Sequence, residues 1–131
     1  IFYMSEFCFA FTNIRCVVPG HVLIATRRPV KRMIELTTDE ISDLYQTACK
    51  VQKIVEKIHN GTATTMTVQD GEDAGQTVRH VHVHVMPRKK GDFEFYDQIY
   101  TALNKHDHEP ENKRRPIEDM IAEAKLIRSY F

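Results

Sequence analysis

The spacing of apolar residues changes period along this chain, and each change predicts an element. Phe7, Phe9 and Phe11 alternate with Cys8, Ala10 and Thr12, a period of two that predicts a strand. The aromatic stripe reads most simply as core. Asn13-Ile14-Arg15 interrupts the run, and residues 17–25 predict a second strand, bent or bulged at Pro19-Gly20. The pair reads as an antiparallel hairpin. Thr37-Thr38-Asp39-Glu40 is then a capping-box signature, with Thr37 as N-cap and Glu40 at the third helical position. Ile41, Leu44, Tyr45, Ala48, Val51, Val55 and Ile58 follow at helical spacing. They predict an amphipathic helix of about 20 residues, stopped by Asn60-Gly61.

Residues 62–69, rich in Thr, Val and Met, predict another strand. A Gly-punctuated connection over 70–75 leads to His80-Val81-His82-Val83-His84-Val85-Met86, a strand expected to end at Pro87. These two strands predict a second hairpin. Phe95, Ile99, Tyr100 and Leu103 indicate a short helix. Residues 104–116 are almost wholly polar and charged and are expected to be a mobile loop. Ile117, Met120, Ile121, Ala124, Ile127 and Phe131 predict a final helix. The sum is a single α+β domain over residues 1–131, an antiparallel sheet covered on one face by one long helix.

At 131 residues the chain is long enough for one real core. Its 18 basic and 18 acidic residues balance, so no global electrostatic grip on nucleic acid or membrane is indicated. No apolar run approaches the roughly 20 residues that span a bilayer, and no signal peptide is visible. Cys8, Cys16 and Cys49 are an odd count without metal-like spacing. They read as reduced thiols of an intracellular protein, Cys8 and Cys16 partly buried in strands. Cytoplasm is the expected compartment, with nucleus and mitochondrion also open. The start at Ile1 reads as a fragment, a processed form, or the ordered part of something longer.

The alternation of His80, His82 and His84 with Val81, Val83 and Val85 puts imidazoles on one strand face and valines on the other. Three readings are open. The first is a solvated polar face, which Thr, Lys or Glu would serve as well. The second is a metal site, with His21 as a further ligand. Alternate strand residues lie roughly 6.5–7 Å apart, however, so three in a row converge poorly on one ion. The third is nucleophilic catalysis, in which an imidazole attacks phosphorus and forms a labile P–N bond. Flanking histidines, Gln76, Thr77 and N–H groups of the Gly75 loop could hold the phosphoryl oxygens.

The run from His80 to Met86 resembles the histidine-triad signature, His-φ-His-φ-His-φ-φ with φ apolar. Gln69-Asp70-Gly71, Gly75-Gln76-Thr77-Val78, Met86-Pro87-Arg88-Lys89-Lys90-Gly91-Asp92-Phe93 and Val17-Val18-Pro19-Gly20-His21-Val22-Leu23 resemble the Fhit branch of that superfamily. The Hint branch, which cleaves nucleoside phosphoramidates, usually has a Gly-Gly turn where Pro87-Arg88 stands here. The resemblance implies a homodimeric α+β domain of the histidine-triad fold, with about five antiparallel strands, that splits dinucleoside polyphosphates. The typical reaction converts diadenosine triphosphate to AMP and ADP. It further implies His82 as nucleophile, its other ring nitrogen held by a backbone carbonyl, with a nucleotidyl-histidine intermediate. His84 matches a phosphate-contacting position, and His21 and His80 match supporting histidines. Gln76 and Thr77, within Gly75-Gln76-Thr77-Val78, match residues that hold the phosphate and its bridging oxygen. Asn13 and Gln69 match nucleotide-binding positions. Magnesium or manganese would accompany the substrate's phosphates, with no fixed protein metal site.

Relatives usually begin with a further strand that carries part of the nucleotide pocket, and the sequence does not contain it. Some Fhit-like domains follow a nitrilase domain, which is therefore an expected upstream partner. Phosphoramidate or adenosine phosphosulfate hydrolysis, or signalling by the substrate-bound complex, are the alternative functions. Of the other residues, His59, His106 and His108 are expected to be solvated and Lys113-Arg114-Arg115 to belong to the mobile loop. Arg88-Lys89-Lys90 either draws in a polyphosphate or is a solvated strand end. Tyr100 matches a tyrosine phosphorylated in some relatives, or simply packs its helix.

Overall fold

The computed structural model describes residues 1–106 and 114–131, with only the backbone at His106. The elements are β1 (Tyr3–Met4), β2 (Cys8–Thr12), β3 (Val22–Thr26), α1 (Thr38–His59), β4 (Ala63–Thr67), β5 (His82–Arg88), α2 (Gln98–His106) and α3 (Ile117–Arg128). The five strands form one antiparallel sheet in the order β1-β2-β3-β5-β4. This is the α+β architecture that the hydrophobic pattern predicts.

The long helix follows from local chemistry. The Thr37 hydroxyl accepts the Glu40 N–H at 3.1 Å, and the Glu40 carboxylate accepts the Thr37 N–H at 2.9 Å. The helix ends where Asn60 takes a left-handed conformation, φ 55°. Leu44, Thr47, Ala48, Val51, Ile54 and Val55 lie beneath it. Ile41 and Tyr45, expected in the buried stripe, stand at its margin, more than a third exposed. Opposite α1 the sheet presents Cys8, Ala10, Val22, Ile24, Val83 and Val85, all fully buried. Ala124 and Ile127 of α3 complete this core.

Four expectations need correction. Of the Phe7, Phe9 and Phe11 stripe, only Phe7 packs against the core. Cys8, Ala10 and Thr12 occupy the buried face of β2, while Phe9 and Phe11 lie on the other, partly exposed, beside the histidines. Alternation defines two faces without saying which one the helix covers, and small residues admit it closely. The second strand does not span 17–25: it is Val22–Thr26, and residues 17–20 form a turn closed by the His21 N–H on the Val18 carbonyl at 3.1 Å. Gly20 allows it, at φ +85° and with no room for a Cβ against the His59 ring.

The histidine strand begins at His82, not His80. The His80 N–H turns to the Val78 carbonyl and the Val81 N–H to the Val30 carbonyl, both at 2.9 Å, so neither joins the ladder. The same strand continues through Pro87 to Arg88, because β3 ends its pairing at Val85 and leaves only β4 alongside. Lastly, the stretch 104–116 is not one loop. Residues 104–106 finish α2, and 114–116 lead into α3 with Arg115 anchored. Residues 107–113, with His108 and Lys113, lie outside the described residues.

On the histidine side of the sheet, Met86 packs with Val18, Ile99 and Leu103 in a second small core. It closes one end of the face on which the site forms. No helix among the described residues is long and apolar enough to cross a membrane.

Candidate active site

Strand register sets the site. His82 lies opposite Ala25 and His84 opposite Leu23 on β3, while Thr67 of β4 flanks His84 from the other side. Phe9, Phe11, Leu23, Ala25, His82 and His84 therefore share one face. A pocket of about 340 Å³ opens there, lined by Phe11 to Arg15, Leu23, Thr77, Val78, His82, His84 and Met120.

Hydrogen bonds fix which ring nitrogens carry protons. A carbonyl only accepts, so His82 Nδ1, 2.7 Å from the His80 carbonyl, must be the protonated nitrogen. The neutral ring then keeps a lone pair on Nε2. His80 Nε2 donates to the Thr26 carbonyl at 2.6 Å, which steadies the residue whose carbonyl holds His82. The Val17 N–H donates to His21 Nδ1 at 3.0 Å, so the proton of His21 is on Nε2. That nitrogen is 2.9 Å from His84 Nδ1 and donates to it, leaving His84 with its proton on Nε2. The Asn13 Nδ2 contact with His21 Nε2, at 3.3 Å, cannot then be a hydrogen bond, since both groups are donors. The His82 and His84 rings meet edge-on with centroids 5.0 Å apart. The result, for neutral rings, is a lone pair on one imidazole beside an N–H on the next.

The turn at 17–20 is what makes this relay possible, since it aims the Val17 N–H back at His21. His21 is fully buried and His84 is 3% exposed. The Cys16 thiol donates to the Asn13 and His21 carbonyls from the connecting segment, not from a strand. Burial pushes its pKa up to about 11, and that of Cys8 up to about 12, so neither is a ready nucleophile.

Of the residues singled out from sequence, His82, His84, Asn13, Thr77 and Val78 line the pocket. His21 and His80 stand behind the two lining histidines. Gln69, Gly75 and Gln76 do not line the pocket. The Gln76 amide accepts the Gly71 N–H at 2.8 Å and donates to the Lys31 carbonyl at 3.0 Å, stapling the loop that carries Thr77. The Gly75 N–H is used on the Glu72 carbonyl and the Gln76 N–H on the Gly71 carbonyl. Gly75 itself, at φ +92°, lets the Gln69 side chain pass where a Cβ would sit 2.8 Å from it.

Arg88 is turned inward, forked onto Asp92 and bonded to Thr65 and the Tyr96 carbonyl, in a cleft that contains no histidine. His59 is half-buried against Gly20, not solvated, and that burial lowers its pKa. Tyr100 is exposed on α2. Arg15 and Met120 line the pocket and were missed; nothing in their local sequence marks them. Among the described residues, no group of three or more His, Cys, Asp or Glu side chains is placed to hold a metal ion.

The HIT domain family model matches residues 1–91, and the chain belongs to that family. It is 52% identical over 130 residues to the nitrilase and fragile histidine triad fusion protein NitFhit of Drosophila melanogaster, covering 99% of this chain and 28% of that protein. The chain thus spans less than a third of that relative's length. It is 45% identical over 139 residues to the bifunctional bis(5'-adenosyl)-triphosphatase/adenylylsulfatase FHIT of Arabidopsis thaliana, covering all of this chain and 77% of that one. The crystal structure of the Caenorhabditis elegans NitFhit protein superimposes with a TM-score of 0.82 at 42% identity, over 99% of this chain and 27% of that one.

Proposed function

We propose that this domain hydrolyses dinucleoside polyphosphates, diadenosine triphosphate to AMP and ADP first among them, with His82 as covalent nucleophile. The observation that carries the reading is the His80 carbonyl on His82 Nδ1, which leaves the Nε2 lone pair at the pocket wall. That lone pair attacks the α-phosphorus, and the P–O bond to the ADP leaving group breaks with its electrons going to oxygen. The resulting imidazolium keeps its Nδ1–H on the His80 carbonyl. Water then attacks the same phosphorus, the P–N bond breaks back onto Nε2, and AMP leaves as the water's proton passes to solvent. The His84 N–H serves as donor to a phosphoryl oxygen in both steps. His21 is a positioning residue, acting through the His84 tautomer.

Asn13, Thr77 and Val78 are proposed to contact the nucleotide. Gln69, Gly75 and Gln76 are assigned to the loop that presents Thr77. Magnesium or manganese enters on the polyphosphate, as part of the substrate. Adenosine phosphosulfate is the second reading, favoured by the name of the Arabidopsis relative; it offers the same α-phosphorus with sulfate as leaving group. An upstream nitrilase domain is proposed on the name of the Drosophila relative. A homodimer is proposed on the edge position of β4, whose outer side pairs with no strand among the described residues, and light scattering checks it.

The test of the reaction is incubation with diadenosine triphosphate, separation of products, and intact-mass analysis of the protein. AMP plus ADP, with an adenylyl adduct that His82→Ala abolishes, is the expected outcome. Product release at an undiminished rate from His82→Ala excludes the assignment. Sulfate release from adenosine phosphosulfate decides the second reading.

A further inference from the structure

We propose that Arg115 is a positioning residue for the nucleotide pocket. It holds the Asn13–Arg15 wall in place from α3, with Glu123 holding its guanidinium. This deepens the proposed function and rests on it.

The pocket wall at Asn13, Ile14 and Arg15 belongs to the connection between β2 and β3, outside the sheet ladder. Its carbonyls need partners from elsewhere. Arg115 supplies them: Nε donates to the Asn13 carbonyl at 3.0 Å, Nη2 donates to the same oxygen, and the Arg115 N–H donates to the Ile14 carbonyl at 2.9 Å. Nη2 also pairs with the Glu123 carboxylate at 3.0 Å, with the two side chains 25% and 15% exposed. Both charges are thus largely withdrawn from water and directed onto one loop.

The far end of the clamp is fixed independently. Ala124 and Ile127 sit in the main core, Arg128 donates to the Ile1 carbonyl at 2.6 Å, and Phe131 stacks on Tyr3. The near end holds Asn13, Ile14 and Arg15 of the pocket wall, and it meets His21 at the Asn13 side chain and through the Cys16 thiol. His82 and His84 are positioned by β5, and His21 by its own turn. Loss of the guanidinium should therefore loosen the nucleotide wall and leave the reacting imidazoles where they are.

The experiment compares wild type, Arg115→Ala and Arg115→Lys by steady-state kinetics on diadenosine triphosphate, calorimetric titration with AMP, and thermal melts. The expected result for Arg115→Ala is a rise of about tenfold in both KM and the AMP Kd, with kcat within about threefold, as for a lost charge-assisted hydrogen bond. Arg115→Lys falls between, since an ammonium cannot reproduce the fork. A lowered melting temperature with KM and Kd unchanged assigns Arg115 a structural role and overturns the proposal. So does a fall in kcat at unchanged KM. If Arg115→Ala melts too low to assay, Arg115→Lys carries the same test: raised KM at an unaltered melting temperature supports the proposal, and unchanged KM overturns it. Wild type that neither turns over diadenosine triphosphate nor binds AMP removes the functional reading, and the proposal with it.

Discussion

Val83 and Val85 are fully buried on one face of β5, and His84, between them, is 3% exposed on the other. Burial is nearly equal; its kind is not. The valines are covered by apolar atoms of α1 and the sheet, through contacts without direction. His84 is covered by His21, through a directed hydrogen bond that fixes which nitrogen bears a proton. One face therefore sets how firmly the domain is folded, and the other sets where protons stand beside a pocket. Depth of burial alone does not separate a structural residue from a working one. The direction of the hydrogen bonds, toward a cavity or not, does.

The largest expected effect is on the histidine side. His82→Ala removes the proposed nucleophile, so turnover should fall by about three to four orders of magnitude. His82 is only partly buried and packs in no apolar cluster, so the melting temperature should move little. A single-turnover assay beside a melt measures both. A variant that loses both stability and activity would collapse the distinction between the faces.

His21→Ala is the intermediate case. It deprives His84 of the partner that sets its tautomer, and kcat should fall about a hundredfold. It also leaves the Val17 N–H unpaired and a cavity behind His84, a destabilisation of about 1–3 kcal/mol. Kinetics and denaturant unfolding on the same sample check both halves. Full activity would mean that the relay does not act on His84.

Val83→Ala is the mirror image of His82→Ala, one residue away. Two methyl groups leave a packed site, which should cost about 2 kcal/mol of stability. Activity per folded molecule should stay within about threefold, because the backbone of β5 keeps its ladder partners on both sides. Chemical denaturation gives the first number and an assay well below the melting temperature gives the second.

What the sequence made legible was whatever is decided locally. The Thr37–Glu40 box and the Asn60-Gly61 stop define α1 because caps and spacing act within a few residues. The histidine row was legible because a period of two in an ionisable residue type has little structural reason to exist. Illegible features depend on distant partners. His80 and Val81 look like strand, but their N–H groups go to Val78 and Val30. The Gln76 amide was identifiable as a useful group, yet its direction, onto Gly71 and Lys31 and not into the pocket, is set by how two loops meet. Arg115 sits in a polar stretch, and its partner Asn13 is 102 positions away. Which face of β2 lies inside depends on where α1 lands, so Phe9 and Phe11 were misassigned as core.

The smallest effect concerns a polar pair on the helix side, which serves the fold alone. The Arg28 guanidinium forks onto Glu40 at 2.7 and 3.1 Å, and the Thr37 N–H adds a third donor. Arg28, first of these, and then Thr37 hold the Glu40 carboxyl at a pKa of about 2, below its ordinary 4.5. A carboxyl depressed in the folded state binds its proton more readily when unfolded. Its stabilisation is therefore complete above about pH 4.5 and is lost as pH falls toward about 2. Glu40→Gln should melt lower than wild type at pH 7, and the gap should close on acidification through that window. The other depressed carboxylates, Asp43, Asp70 and Asp92, are common to both proteins and cancel. The pH profile of turnover should be the same in both, because Glu40 lies on the helix side and the histidines on the other. A melting gap that stays constant from neutral pH to about pH 3 would remove Glu40 from the acid response. A displaced activity profile would show instead that the two faces of the sheet are electrostatically coupled, and that their separation holds for packing but not for charge.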